Sequence, residues 1–289
     1  MGRIIAVANQ KGGVGKTTTA VNLCAALADL GHNTLLVDMD PQGNAATGAG
    51  IDPRVFEISM YQVLLGAAEL TECIRPTGID GFEVAPARLE MSGAEIELVS
   101  AFSRELKLRH ALAPVADDYD YIFIDCPPSL GLLTVNALSA ATEILVPVQC
   151  EYYALEGLGQ LLHNVEMVRE GLNSALVISA IVMVMYDART RLAAEVVSDV
   201  RRHFGDRVCR VVVPRTVRLS EAPSVGQPVT VYAPKSRGAI AYQELAREIH
   251  ERGDPHQAAA DRTGDGHADG LSDRREVAEQ YRIAEGAPT

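Results

Sequence analysis

Ile4-Ile5-Ala6-Val7-Ala8-Asn9-Gln10-Lys11-Gly12-Gly13-Val14-Gly15-Lys16-Thr17-Thr18 passes from a short β-branched strand through a glycine-rich turn into a helix. That order is the setting a phosphate-binding loop requires. Glycines let the backbone curl until successive N–H groups point inward at phosphate oxygens. The helix N-terminus behind the curl adds partial positive charge. Lys16 has the reach for β- and γ-phosphates, Thr17 can offer its hydroxyl to Mg²⁺, and Thr18 can touch an α-phosphate. The usual spacing G-x-x-x-x-G-K-[S/T] is not met, because Gln10 stands where its first glycine belongs. What stands in its place is K-G-G-x-G-K-T, with a second lysine, Lys11, opening the loop. At residue usages of roughly 7%, six specified positions coincide by chance about once in 10⁷ starts. A fortuitous turn is therefore set aside.

Outward from the loop, short β-branched runs alternate with longer helical patterns. Strands are expected at Ile4–Ala8, Thr34–Asp38, Phe82–Ala85, Tyr121–Asp125, Ile144–Pro147, Val177–Val184 and Arg210–Val213. Helices are expected at Lys16–Leu30, Ala94–Ala113, Leu132–Ala140, Leu155–Glu170, Ala193–His203 and Ile240–Arg252. Strands apolar on both faces, with helices between them, predict an α/β fold: a twisted, mostly parallel sheet flanked by helices on both faces. Composition shifts after Gly253. Residues 1–253 read as one ATPase domain. Residues 254–289, acidic and poor in large apolar side chains, read as a disordered tail with room for a short helix at Arg275–Glu285.

The chain has 289 residues, 47% hydrophobic and 22% charged, so it can bury a sizeable core without staples. Cys24, Cys73, Cys126, Cys150 and Cys209 form no C-x-x-C pair, which points away from a zinc site or a disulfide framework and towards a reducing cytoplasm. No targeting segment and no membrane-spanning run is expected. The net charge of −12 excludes a surface that grips nucleic acid over its whole extent. Locally the sign reverses: eight arginines stand against four acids between Asp187 and Arg218.

The loop resembles the deviant Walker A box of the ParA/MinD ATPases, and so do three further segments. These are Val37-Asp38-Met39-Asp40-Pro41-Gln42-Gly43-Asn44, Ile122-Phe123-Ile124-Asp125-Cys126-Pro127-Pro128-Ser129 and Pro214-Arg215-Thr216-Val217-Arg218-Leu219-Ser220-Glu221-Ala222-Pro223. With Gln149-Cys150-Glu151-Tyr152-Tyr153-Ala154-Leu155-Glu156-Gly157, they resemble most the chromosomal ParA branch, over about residues 2–250. The resemblance implies a P-loop fold, ATP and Mg²⁺ as cofactors, and slow, partner-stimulated hydrolysis. Lys11, Gly12, Gly13, Val14, Gly15, Lys16, Thr17 and Thr18 would bind the phosphates. Asp125 would hold Mg²⁺ through water beside Thr17, Asp38 would support the outer shell, and Asp40 would position or activate the attacking water. Lys11 would cross a homodimer interface to the nucleotide of a second subunit. Pro214 and Arg215 would contact adenine, and Arg189 and Arg218 would bind double-stranded DNA without sequence preference. The implied partner is a centromere-binding ParB protein, and the implied place is the nucleoid in the cytoplasm.

Two other readings compete. A MinD-like membrane-associated ATPase would need a basic amphipathic C-terminal helix, and the acidic segment after Gly253 does not supply one. A nucleotide-dependent adaptor with incidental hydrolysis would carry the same acids. Cys126 has no second cysteine at a companion spacing for an iron–sulfur cluster and reads as a buried thiol.

Overall fold

Strand β1 (Arg3–Val7) is buried along its length and lies between β5 (Tyr121–Asp125) and β6 (Glu143–Gln149) in a computed structural model that describes residues 2–255. Beyond β5 follow β2 (Thr34–Asp38), β4 (Phe82–Ala85) and the two-residue β3 (Arg75–Pro76). Beyond β6 follow β7 (Val177–Tyr186) and β8 (Val208–Pro214). The order is β3-β4-β2-β5-β1-β6-β7-β8, and every pairing is parallel except β3 with β4. The seven expected strands are all present. β3 escaped because two residues, one of them proline, carry no period.

Alternation along the strands builds two cores. Ile4, Ala6, Leu35, Val37, Ile122 and Ile124 face one layer, and Ile5, Val7, Leu36 and Phe123 face the other. The second layer holds α1 (Lys16–Ala28), α2 (Asn44–Gly48) and, near the C-terminus, α11 (Val229–Tyr232) and α12 (Arg237–Glu251). The first holds α3 (Met60–Leu65), α4 (Leu70–Cys73), α5 (Met91–Leu98), α6 (Lys107–Leu112), α7 (Leu132–Ala140), α8 (Ala154–Gly171) and α9 (Arg191–Phe204). The short α10 (Val217–Glu221) follows β8. Among the described residues, no helix is long and apolar enough to cross a membrane.

The single helix expected over Ala94–Ala113 is corrected to two. α5 ends at Leu98, Ser103 turns left-handed (φ 50°), a 3₁₀ turn covers Arg104–Leu106, and α6 begins at Lys107. Leu98, Leu108 and Leu112 are all buried, so the apolar pattern runs through the break. The break is held from outside. Asn136 of α7 donates to the Arg104 carbonyl at 2.7 Å and accepts from the Leu108 amide at 3.1 Å. The acidic segment and its Arg275–Glu285 helix lie, from residue 256 on, outside the described residues.

Candidate functional site

Three strands end level at one edge of the sheet. Val7 and Asp38 are both register partners of Asp125, so the loop after β1 and the acids closing β2 and β5 emerge side by side. In a parallel sheet this carboxyl edge is where ligands bind. Two left-handed glycines, Gly13 (φ 74°) and Gly15 (φ 80°), make the curl, a backbone that side-chain-bearing residues adopt only with strain. Val14 between them is buried and anchors the loop. Asn9 ties it to β6, donating to the Pro147 carbonyl at 2.8 Å and accepting from the Lys11 amide at 3.0 Å. Lys16 opens α1, is only 6% exposed, and points its Nζ back across the loop, 3.4 Å from the Lys11 carbonyl. Burial lowers its pKa, and Asp125, Cys126 and Asp40 oppose that shift.

Asp125 is fully buried, and neither carboxylate oxygen has a hydrogen bond of ordinary geometry. The Thr17 hydroxyl stands near enough to favour its ionised form without completing such a bond. Burial pushes the carboxyl up to about 7; Thr17 and Lys16 work against that rise, and Asp40 adds to it. A buried carboxylate with both oxygens unclaimed, next to a threonine hydroxyl, suits Mg²⁺, a hard ion that takes one or two protein oxygens and fills its shell with water and phosphate. Among the described residues, no set of three or more His, Cys, Asp or Glu is placed to hold a metal. An ion at this edge would therefore rely on those other oxygens.

This burial has a pH signature. An unfolded aspartate titrates near 3.8 and the folded Asp125 near 7, so the folded state holds the proton more tightly. The group's contribution to stability falls as pH rises between those values. Asp125→Asn does not titrate. In nucleotide-free protein the substitution is expected to raise the melting temperature by on the order of 10 °C more at pH 8 than at pH 4. Calorimetry at both pH values checks this; equal shifts would show that the ionised carboxylate is not a burden on the fold.

Asp38, expected to support a metal's outer shell, engages the backbone through both carboxylate oxygens. Its Oδ1 accepts from the Asp40 amide at 3.0 Å and its Oδ2 from the Ala45 amide at 3.1 Å. Burial, then the neighbouring Asp125, raises its pKa. Asp38 thus holds the chain that presents Asp40. The Asp40 carboxylate is only partly buried and accepts from the Gln42 amide at 3.0 Å. A few residues on, the left-handed Gly43 lies so close to the Ala87 carbonyl that a Cβ would come within 2.9 Å of it.

Lys11 does not face this interior. Its Nζ lies 2.6 Å from Glu151 Oε2, and both side chains are nearly half exposed. Gln149 donates to the other Glu151 oxygen.

Pro214 and Arg215 close β8 beside the end of β7, where the Arg215 amide donates to the Tyr186 carbonyl at 2.9 Å. Between this corner and the loop lies Met185, which sequence reading missed. It is a non-glycine residue at φ 55°, and its Cε lies 3.8 Å from the point a Gly15 Cβ would occupy. A methionine at a strand end carries no signal in the sequence.

Arg189 and Arg218 leave the sheet from these two adjacent strands. Both are exposed and paired locally: Arg189 with Asp187 at 2.7 Å, and Arg218 with Glu221 at 2.8 Å, its guanidinium lying over the Tyr232 ring. Asp187 is held well below the usual carboxylate range by those hydrogen bonds. Helix α11, which carries that Tyr232, is joined to the first turn of α1 through Asn22, which donates to the Thr18 carbonyl and accepts from the Val229 amide, each at 2.7 Å.

A family model described as an AAA domain matches residues 2–178. The sporulation initiation inhibitor protein Soj of Bacillus subtilis (strain 168) is 53% identical over 253 residues, covering 88% of this chain and 100% of that protein. The chromosome partitioning protein ParA of Myxococcus xanthus is 52% identical over 255 residues, covering 88% of this chain and 90% of that one. Among solved structures, a cobyrinic acid a,c-diamide synthase from Mycobacterium smegmatis with bound ADP and magnesium is similar at a TM-score of 0.76 and 39% identity, covering 87% of this chain and 95% of that chain.

Proposed function

The chain belongs to the Soj/ParA family of chromosome-partitioning ATPases, and from that premise we propose that it is an ATP-driven, dimerising switch for DNA segregation. It hydrolyses ATP and uses Mg²⁺. The triphosphate lies in the curl of Gly12–Gly15, with Lys16 against its β- and γ-phosphates and Thr18 at the α-phosphate. Thr17 and, through water, Asp125 would hold Mg²⁺, which would supply charge neutralisation at the phosphate oxygens. Asp40, on a backbone steadied by Asp38, orients the attacking water and accepts its proton. Pro214 and Arg215 would flank the adenine. Catalysis resides in residues 1–253, and the acidic segment 254–289 stands outside it.

The observation that carries this reading is the position of Lys11. One phosphate loop bears two lysines. Lys16 is buried at the site, while Lys11 stands on the exposed lip with its ammonium paired to a solvent-facing glutamate. Released from Glu151, Lys11 serves the nucleotide of a second copy, so ATP joins two chains and hydrolysis parts them. In the dimer, Arg189 and Arg218 exchange their acid partners for DNA phosphates. Exposed ion pairs of this kind hold weakly, so the exchange is easy. A ParB-type protein bound at the centromere stimulates hydrolysis and resets the cycle on the nucleoid.

A DNA-pelleting assay with ATP, ADP and no nucleotide tests the proposal. Co-sedimentation is expected with ATP alone, falling steeply with salt as counterion release requires. Arg218→Ala is expected to weaken it about tenfold, in line with a single lost phosphate contact of about 1.4 kcal/mol. DNA binding that ignores nucleotide would overturn the switch.

A further inference from the structure

Helix α12 carries the chain back from the end of β8 to its start. Gly238, in the first turn of α12, lies so close to α10 that a Cβ there would come within 2.8 Å of Leu219 Cγ and 3.1 Å of Thr216 Oγ1. Further along, the buried Glu248 accepts from the Arg210 amide at 2.8 Å and the Val211 amide at 2.9 Å. Arg252 then donates to the Val208 carbonyl at 3.1 Å. The chain beyond Gly253 therefore departs from the start of β8, while Arg215 and Arg218 stand past its other end.

That other end is a cationic corner. Arg189, Arg215, Arg218, Lys235 and Arg237 are all exposed there. Lys235 and Arg237 belong to the segment between Tyr232, whose hydroxyl meets Arg218, and Gly238, which meets Thr216. Two acids, Asp187 and Glu221, already occupy the Arg189 and Arg218 guanidiniums. The corner thus takes carboxylates, and a guanidinium holds carboxylate and phosphate with the same fork of donors. Beyond α12 the sequence supplies the opposite charge. Asp261, Asp265, Asp269 and Asp273 recur at every fourth position, and from Asp254 to Asp273 a single arginine, Arg262, stands against five aspartates. The similarity to Soj spans all of that protein and leaves unmatched a share of this chain as long as residues 254–289.

We propose that the stretch Asp254–Asp273 docks in cis on the corner formed by Arg215, Arg218, Lys235 and Arg237, where its carboxylates compete with DNA phosphates and set how tightly the ATP-bound protein holds DNA. The inference deepens, and rests on, the DNA-binding reading above. Charge and chain length select this occupant. A glycine-containing chain of that length has an end-to-end distance on the order of 25 Å. The seven residues of β8, along which it must return, span about 23 Å. A tether matched to its span gives the highest local concentration, about millimolar. Each exposed carboxylate–arginine contact is weak, so proximity supplies the competition and a long duplex can still displace the segment. The corner of a second copy would set cation against cation.

The lysines of the chain are Lys11, Lys16, Lys107 and Lys235 alone, so carbodiimide coupling, which joins a carboxylate to an amine it touches, reads the contact directly. With the full chain in Mg-ATP, mass spectrometry is expected to find Lys235 joined to aspartates of the 261–273 stretch. Mixing isotopically heavy and light protein is expected to place the link within one chain, and added duplex DNA to suppress it severalfold. Lys107, in the other layer of helices, serves as the control. A variant carrying Asp261→Asn, Asp265→Asn, Asp269→Asn and Asp273→Asn is expected to bind a fluorescent duplex about tenfold more tightly at low salt, a gap that closes as salt screens the contact. Tighter binding without a Lys235 product would reduce the segment to general repulsion and overturn the docking. Coupling to Lys107 as readily as to Lys235, a product that DNA leaves unchanged, or unaltered affinity in the variant would do the same. Failure of both proteins to bind DNA in ATP would strike the DNA-binding reading itself, whereas normal ATP-dependent binding with no Lys235 product would strike the docking alone.

Discussion

Asp40→Ala is expected to bind ATP nearly as the wild type does and to hydrolyse it about 10²–10⁴-fold more slowly, the range that a positioned general base contributes. The substitution takes the acceptor from the exposed Gln42 amide and leaves the anchoring of the segment in place. What holds the segment is the Asp40 amide, which donates to Asp38 Oδ1, together with the Ala45 amide on Asp38 Oδ2; neither depends on the Asp40 side chain. The backbone therefore keeps its course and the phosphate loop keeps Lys16. Because binding survives and hydrolysis does not, ATP should lock the variant as a dimer. Single-turnover phosphate release, with size-exclusion chromatography in ATP, checks both halves. A turnover rate within a few-fold of the wild type would remove Asp40 from the chemistry.

Lys11→Ala should separate the same functions in the opposite way. Nucleotide binding is expected to persist, since the curl, Lys16 and Thr17 are untouched. ATP-dependent dimerisation is expected to vanish. Hydrolysis should fall by as much as about 10³-fold, the lower range for a cation supplied in trans to a transferring phosphoryl group. Glu151→Gln serves as the control, because it frees Lys11 from its ion pair without deleting it and should dimerise at least as readily as the wild type. A Lys11→Ala protein that dimerises normally in ATP would place the second lysine outside the interface.

Much of this site is readable along the chain because its parts are close in sequence or mark strand ends. The spacing from Lys11 to Thr18 specifies the curl through glycine conformation and helix start alone. Asp38, Asp40 and Asp125 each follow a β-branched run, so a parallel sheet brings them to one edge however its helices pack. Contacts between distant residues were not readable. Lys11 meets Glu151 across 140 positions, and nothing local to either residue encodes the pairing. The Asp38 carboxylate accepts from the amides of Asp40 and Ala45 because α2 turns back over it. Met185 reaches Gly15 only because β7 lies two strands from β1. Periodicity ran α5 and α6 together, since their buried leucines keep one rhythm; the break at Ser103 exists because Asn136 of another helix satisfies the backbone it exposes. Local backbone preference and the alternation of apolar residues thus specified the loop, the strands and the acidic edge. Which side chains occupy one another's hydrogen bonds was settled by packing between segments that no short-range pattern connects.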